Sequence, residues 1–170
     1  MTAELILGGA RSGKSALAGR LAVEFGREVI WIATAEARDE EMAERIARHR
    51  TERPEHWQTV EEPLRLAAAL RRLANADFCV VVDCLTLWLT NLLLAEDASL
   101  LEQEVSALLD ILPKLPGQII LVANEVGLGI VPENALARRF RDEAGRLNQA
   151  VAARCEHVTF VAAGLSLVLK

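Results

Sequence analysis

The chain has 170 residues, a formal net charge of −5 and 4% aromatic residues, with no Tyr. Its length predicts one domain over residues 1–170, with a substantial apolar core. The acidic balance and the few aromatic rings argue against a nucleic-acid partner. The three cysteines lack metal-ligand spacing and no run of about 18 apolar residues occurs, so we expect a cytoplasmic protein without a membrane partner.

Apolar, β-type runs alternate with helical patterns along the chain. The predicted strands cover residues 4–9, 28–34, 78–85, 118–125 and 157–164. They are almost continuously apolar, as expected for parallel strands that are covered on both faces. The last residues, VTFVAAGLSLVLK, predict a strand, a Gly-containing turn and a final antiparallel strand at the sheet edge.

The segments between the strands predict helices. They cover residues 14–26, 39–51, 62–75, 87–112 and 134–153. The fourth is expected to break near residues 96–99, where Asp97 or Ser99 could begin a second helix. This alternation predicts an α/β fold, with a mainly parallel sheet flanked by helices and ligands bound beyond the carboxyl ends of the strands. The polar residues expected there are Thr34, Asp83, Thr86, Asn124 and Glu125.

The segment GGARSGKS fits the phosphate-binding pattern G-x-x-x-x-G-K-[ST]. It lies between a predicted strand and a predicted helix, the context that this motif requires. The loop backbone would surround the β-phosphate, Lys14 would neutralise phosphate oxygens, and Ser15 would place its hydroxyl on Mg²⁺. A Gly-rich turn without nucleotide is the alternative. The candidate nucleotide contacts are Gly8, Gly9, Ala10, Arg11, Ser12, Gly13, Lys14 and Ser15.

Asp83 ends an apolar run, where a P-loop protein carries the carboxylate that lies near the metal. The alternative is an Asp that caps the following helix. Together with the loop, it predicts a nucleoside triphosphate with Mg²⁺ as ligands. Small-molecule kinases, ATPases and GTPase switches share these parts, so they do not specify a reaction. A switch GTPase would carry Asn-Lys-x-Asp after a later strand, whereas this chain has LVANEVG.

One histidine lies on the apolar side of a predicted helix. Met42, Ile46 and His49 share one face, and most of the neighbouring arginines lie off it. A histidine that faces inward beside arginines suits a phosphoryl or nucleotidyl acceptor, because neutral imidazole is a good nucleophile near pH 7. From the spacing alone, an ordinary histidine at a helix end remains the alternative.

Several segments, in a fixed order, cover nearly the whole chain: GGARSGKS, WIATAE, DEEMAERIARHRTERPEHWQTVEEP, TLWLTNLL and NEVGLGIVPENALARRFRDEAGRLNQ. Together they resemble the bifunctional adenosylcobinamide kinase/adenosylcobinamide-phosphate guanylyltransferase family of cobalamin biosynthesis. The resemblance implies a RecA-like P-loop NTPase fold, with ATP and GTP as nucleotides and Mg²⁺ as cofactor. It also implies a corrinoid substrate, which is phosphorylated and then receives GMP from GTP, and a homotrimer.

The resemblance implies a GMP-histidine intermediate at His49, with Lys14 as the other catalytic residue. Related sequences often carry a second histidine one position earlier, where this chain has Arg48. His56 is expected to orient or pack beside Trp57. The implied metal ligands are Ser15 and Asp83. The further implied nucleotide contacts are Ala33, Thr34, Ala35, Arg50, Thr51, Glu52, Arg53, Glu61 and Asp83.

Three alternatives concern these assignments. From the residues alone, Glu61 could instead interact with the dipole at a helix N-terminus. A P-loop kinase for a small molecule, without a covalent nucleotidyl intermediate, is a competing enzyme. A nucleotide-dependent regulatory subunit is the competing function from another class, which the missing base-reading quartet and the inward histidine disfavour.

Overall fold

The alternation of apolar runs and helical patterns gives a layered structure of strands and helices. The computed structural model describes residues 2–37, 40–51 and 53–170. The strands are β1 (Thr2–Gly8), β2 (Glu28–Ala33), β3 (Gln58–Glu61), β4 (Phe78–Asp83), β5 (Gln118–Asn124), β6 (His157–Ala162) and β7 (Leu165–Val168). The helices are α1 (Lys14–Glu24), α2 (Glu40–Thr51), α3 (Leu66–Leu73), α4 (Leu85–Leu93), α5 (Leu100–Ile111) and α6 (Ala135–Ala152).

All described strands belong to one seven-stranded sheet, in the order β3-β2-β4-β5-β1-β6-β7. Every neighbouring pair is parallel except β6 and β7, which pair antiparallel through a short turn. The predicted fold class is therefore confirmed, including the antiparallel strand at the C-terminal edge. The carboxyl ends of β1, β2, β4 and β5 lie side by side, because these strands are parallel neighbours.

Successive side chains of a strand point to opposite sides of the sheet, and both sides are buried because helices pack on each of them. The larger apolar cluster joins one face of the sheet to α3, α4, α5 and α6. The smaller cluster joins the other face to α1, through residues such as Ile6, Ala18 and Val81. All three cysteines are buried in these clusters without disulfides.

The largest error of the sequence analysis is the missed strand β3. Its four residues, QTVE, occupy the sheet edge and are at most half-buried, so they lack the apolar run that marks a central strand. Glu61 therefore ends a strand and does not begin a helix. The following helix starts at Leu66 rather than at residue 62, since the Glu62 carboxylate accepts hydrogen bonds from the backbone N–H groups of Leu64 and Arg65.

The break predicted at residues 96–99 is confirmed, between α4 and α5. Asp97 accepts hydrogen bonds from the backbone N–H and the hydroxyl of Ser99, at 2.9 and 2.7 Å. Ser99 precedes α5, but its own side chain forms no capping hydrogen bond. Among the described residues, no helix is sufficiently long and apolar to cross a membrane.

Candidate active site

The phosphate-binding motif forms a tight loop between β1 and α1. Arg11 and Gly13 have φ angles of +54° and +104°, in the region that favours glycine. A Cβ atom on Gly8 would overlap the carbonyl oxygen of Val161 on β6. Glycine at the start of the loop therefore permits a close approach of two backbones, and the loop curls round the N-terminus of α1, where helical N–H groups favour an anion.

Lys14 is buried at the start of α1. Its Nζ donates a hydrogen bond to the carbonyl oxygen of Gly9, at 2.6 Å. Burial lowers the pKa of Lys14, against the smaller, opposite influence of Cys84 and Asp83. An ammonium group held inside the loop and poorly solvated is well suited to neutralise phosphate oxygens, because a polyanion replaces the hydration that burial removed.

The hydroxyl of Ser12 is buried inside the loop and, within the described part of the chain, has no hydrogen-bond partner. An unpaired buried hydroxyl is unfavourable, so a group of this kind requires a partner such as a bound ligand or water. A phosphate oxygen would accept its proton. This orphan donor is the strongest sign, independent of the motif, that the loop is built for an anion.

Ser15 and Asp83 line the same cavity as Lys14. Among the described residues, no group of three or more His, Cys, Asp and Glu side chains could hold a metal ion. A hydroxyl and a carboxylate oxygen nevertheless fit Mg²⁺, which usually takes one or two protein ligands together with phosphate oxygens and water. The donor set therefore fits a nucleotide-bound magnesium rather than a free-standing metal centre.

The residues that follow Asp83 are fixed by Thr34, at the end of β2. The Thr34 hydroxyl donates to the carbonyl oxygen of Cys84 at 2.7 Å and accepts from its N–H at 2.9 Å. The amide of Asn91 donates to the carbonyl oxygens of Thr34 and Pro63, at 2.7 and 3.1 Å. Thr34 is fully buried, so its side chain holds the backbone beside Asp83 and does not face the cavity.

A second wall of the cavity comes from the chain between β2 and β3. Ile46 of α2, Arg53 and Trp57 line the cavity, whose volume is about 1040 Å³. The Trp57 ring stacks on Trp31 of β2 with 5.6 Å between centroids, and the Arg53 guanidinium lies 4.8 Å from the centre of the Trp31 ring. This aromatic contact brings a cation to the cavity edge.

The predicted site residues separate into three groups. The cavity is lined by Ala10, Arg11, Ser12, Gly13, Lys14, Ser15, Ala35, Arg53 and Asp83. The described residues Gly8, Gly9, Ala33, Thr34, Thr51 and Glu61 lie outside this lining, at strand or helix ends or behind the loop. Glu52 and the side chains of His49 and Arg50 lie outside what the structure describes.

Sequence reasoning missed several cavity residues, above all Trp31. It lies in a predicted strand, and strand periodicity alone could not show that its ring pairs with Trp57, 26 positions later. His56 packs edge-on against Trp57 with 6.4 Å between ring centroids, as predicted. Asn124, expected at the sheet edge, also lines the cavity.

Comparison with known proteins shows the family. The family model described as "Cobinamide kinase / cobinamide phosphate guanyltransferase" matches residues 4–169. The chain belongs to this family. It is 63% identical to the bifunctional adenosylcobalamin biosynthesis protein CobP of Pseudomonas aeruginosa, with 98% of this chain and 96% of the relative covered. It is 41% identical to the protein CobU of Escherichia coli, with 98% of both chains covered.

Solved structures share the fold at low sequence identity. The RadB recombinase superposes with a TM-score of 0.52 at 19% identity, covering 94% of this chain and 73% of that one. The flagellar accessory protein FlaH of Methanocaldococcus jannaschii gives 0.51 at 15% identity, covering 99% and 78%. These likenesses support the fold alone. The family and enzyme class predicted from the sequence are confirmed by the family match.

Proposed function

We propose that this enzyme phosphorylates adenosylcobinamide with a nucleoside triphosphate and then transfers GMP from GTP to the resulting phosphate, through a GMP-histidine at His49. The observation that carries the proposal is that residues on both sides of His49 reach the P-loop cavity. Ile46, one helical turn before His49, and Arg53, four residues after it, both line this cavity with Lys14. The proposal therefore assigns the His49 imidazole to the same cavity, between these two residues.

Guanylyl transfer would take place in two displacements at the α-phosphorus of GTP. In the first, an imidazole nitrogen of His49 forms a bond to phosphorus, and the bond to the bridging oxygen breaks, releasing pyrophosphate. In the second, a phosphate oxygen of adenosylcobinamide phosphate bonds to phosphorus and the P–N bond breaks. Covalent catalysis of this kind divides a difficult step into two easier ones.

The charged groups of the cavity have separate roles in the proposal. Lys14 and the loop N–H groups would stabilise the charge that develops on the departing pyrophosphate. Arg53, next to Trp31, would contact the nucleotide from the second wall. Ser15 and Asp83 would hold Mg²⁺, which neutralises phosphate charge when it is bound. Ala33, Ala35, Arg50, Thr51, Glu52 and Glu61 complete the proposed nucleotide contacts, whereas Thr34 acts by fixing the backbone beside Asp83.

Another nucleophile in the described cavity, the Cys84 thiol, is poorly suited to the reaction. It is buried, and burial together with the neighbouring Asp83 raises its pKa to about 11. The thiol is therefore protonated near neutral pH, and the thiolate is the reactive form. This supports histidine as the group that carries GMP.

The proposal also covers the domain organisation, the phosphate donor, the oligomeric state and the location of the enzyme. We propose one catalytic domain over residues 1–170, because all described strands join a single sheet. ATP or GTP would supply the phosphoryl group, and the corrinoid would enter from the open side of the cavity. A homotrimer in the cytoplasm is proposed from the family resemblance.

Labelling with α-³²P-GTP tests the covalent step. The protein is incubated with the nucleotide and Mg²⁺, denatured and examined for label that is labile in acid and stable in base. We expect label on the unaltered protein, its loss on addition of adenosylcobinamide phosphate, and no label on His49→Ala. His56→Ala is the matched control and should be labelled normally. Equal labelling of His49→Ala, or no label on the unaltered protein, would contradict the proposal.

A further inference from the structure

The turn between β6 and β7 touches the phosphate-binding loop, although about 150 residues separate the two in sequence. Ala162 pairs with Leu165, so the turn consists of Ala163 and Gly164 alone. Their φ angles are +52° and +78°, and positive φ at both positions is the pattern of a type I′ turn. Its sharp reversal brings the turn backbone against the loop.

The contact consists of backbone atoms. The N–H of Gly164 donates a hydrogen bond to the carbonyl oxygen of Ser12, at 2.8 Å. A Cβ atom added to Gly13 would lie 3.3 Å from the Cα of Gly164, tighter than ordinary packing. The absence of a side chain at Gly13 therefore permits the loop and the turn to approach this closely.

We propose that the Gly164 N–H is a positioning group of the nucleotide site, which orients the peptide between Ser12 and Gly13. A trans peptide is planar, and its C=O and N–H point in opposite directions. Because Gly164 holds the Ser12 oxygen on the turn side, the Gly13 N–H is directed to the other side, where Gly13 and Lys14 line the cavity. The turn thus prepares one phosphate-binding N–H before nucleotide arrives.

Ala163 has a positive φ angle although it is not a glycine, which suggests that the turn geometry has a function. Residues other than glycine, Asn and Asp seldom adopt positive φ, because the Cβ atom crowds the following carbonyl oxygen. Strain of this kind persists where surrounding structure demands it, and it is enriched at functional sites. The contact with Ser12 provides such a demand. The inference rests on the proposed function only in that the loop binds a nucleoside triphosphate.

Two matched glycine substitutions test the proposal. A Cβ atom at Gly164 or at Gly26 meets no heavy atom within 4 Å, and Gly26 also has a positive φ, of +63°. Gly164→Ala and Gly26→Ala therefore carry the same kind of backbone strain without a steric clash. We measure the Kd of a fluorescent methylanthraniloyl GTP in the presence of Mg²⁺, and the Tm of each variant without nucleotide.

The expected result is a similar fall in Tm for both variants, with weaker nucleotide binding in Gly164→Ala alone. An alanine at position 164 relieves its strain by rotating its peptide group, which turns the N–H away from Ser12, and a misdirected donor corresponds to about threefold to tenfold in Kd. Unchanged affinity in Gly164→Ala, or equally weakened affinity in both variants, would overturn the proposal. Binding is measured without guanylyl transfer, so this outcome is independent of whether His49 becomes labelled.

A backbone ester removes the donor alone. Cys155 permits a synthetic peptide covering residues 155–170 to be joined to the rest of the chain by native chemical ligation, with the Gly164 N–H replaced by oxygen. The all-amide chain prepared by the same route is the control. We expect the ester to bind the fluorescent GTP about threefold to tenfold more weakly. Equal affinity of the two chains would overturn the proposal. If Gly164→Ala does not fold, the comparison of the ester with the all-amide chain tests the proposal by itself.

Discussion

The two walls of the cavity are built in different ways. The phosphate wall consists mainly of backbone, held by hydrogen bonds from Lys14 to Gly9 and from Gly164 to Ser12. The second wall, from the chain between β2 and β3, consists of side chains, with Trp57 stacked on Trp31. Backbone donors are in place before a ligand arrives, whereas the second wall depends on single aromatic contacts. We therefore expect mutations to separate nucleotide binding, which the first wall governs, from guanylyl transfer, which requires the second.

The largest expected separation compares Lys14→Ala with His49→Ala. Removing the buried ammonium should weaken binding of the fluorescent GTP about a hundredfold, since a charge-assisted contact to phosphate is lost. His49→Ala should change the Kd by less than about threefold while abolishing the GMP label. If both variants lose affinity equally, the division between the two walls is wrong.

Trp57→Ala should lower the rate of guanylyl transfer more than nucleotide affinity, whereas Lys14→Ala should mainly weaken nucleotide binding. Loss of the stack on Trp31 misplaces the wall that carries Arg53, so the rate of GMP labelling should fall about tenfold, with a smaller loss of affinity, about threefold, from the displaced Arg53 contact. Trp57→Phe keeps an aromatic ring and should retain most of the rate. Rapid-quench labelling at saturating GTP distinguishes the rate from binding. A normal rate in Trp57→Ala would show that the stack does not position the wall.

A smaller effect is expected at Thr34, whose hydroxyl fixes the backbone beside Asp83. Thr34→Val leaves the Cys84 N–H and C=O without their partner and should destabilise the protein by about 2 kcal/mol. The shift of the backbone beside Asp83 should raise the Mg²⁺ concentration required for half-maximal GTP binding about threefold. Thr34→Ser keeps both hydrogen bonds and should show the Mg²⁺ requirement of the unaltered protein. An unchanged Mg²⁺ requirement in Thr34→Val would limit Thr34 to stability.

The smallest effect is expected in the pH dependence of the affinity for GTP. Burial lowers the pKa of Lys14, so in the free protein its ammonium loses a proton at a lower pH than an exposed lysine. Because the charged form binds phosphate, affinity should fall as the pH rises through this lowered pKa. Lys14→Arg keeps its charge throughout and provides the control. Parallel pH profiles for the two proteins would contradict this assignment of Lys14.

The sequence predicted what depends on local pattern. The motif GGARSGKS and the strand that ends at Asp83 were recognisable because each function needs a fixed residue type at a fixed strand end. Strand β3 was missed, since a half-buried edge strand with the residues QTVE has no apolar run. The other edge strand, β7, was predicted because a Gly-containing turn precedes it, so an edge strand is missed where it has neither an apolar run nor a turn signal.

Contacts between distant segments could not be predicted from the sequence. Nothing in the residues near Gly164 indicates that its N–H would meet Ser12, because the contact depends on β6 lying beside β1. Thr34 was predicted as a nucleotide contact, yet its hydroxyl is engaged with Cys84. Which hydrogen bonds a buried polar group makes is decided by tertiary structure, so sequence can propose the residue but not its partner.

The central claim is that His49 lies opposite the phosphate-binding loop and attacks the α-phosphorus of GTP. A crystal structure with Mg²⁺ and a GTP analogue that carries a methylene group between the α- and β-phosphorus atoms would test it most directly, since transfer cannot proceed. We predict an imidazole nitrogen about 3–3.5 Å from the α-phosphorus, in line with the methylene carbon. A structure in which every His49 ring faces solvent, away from the bound phosphates, would contradict the account.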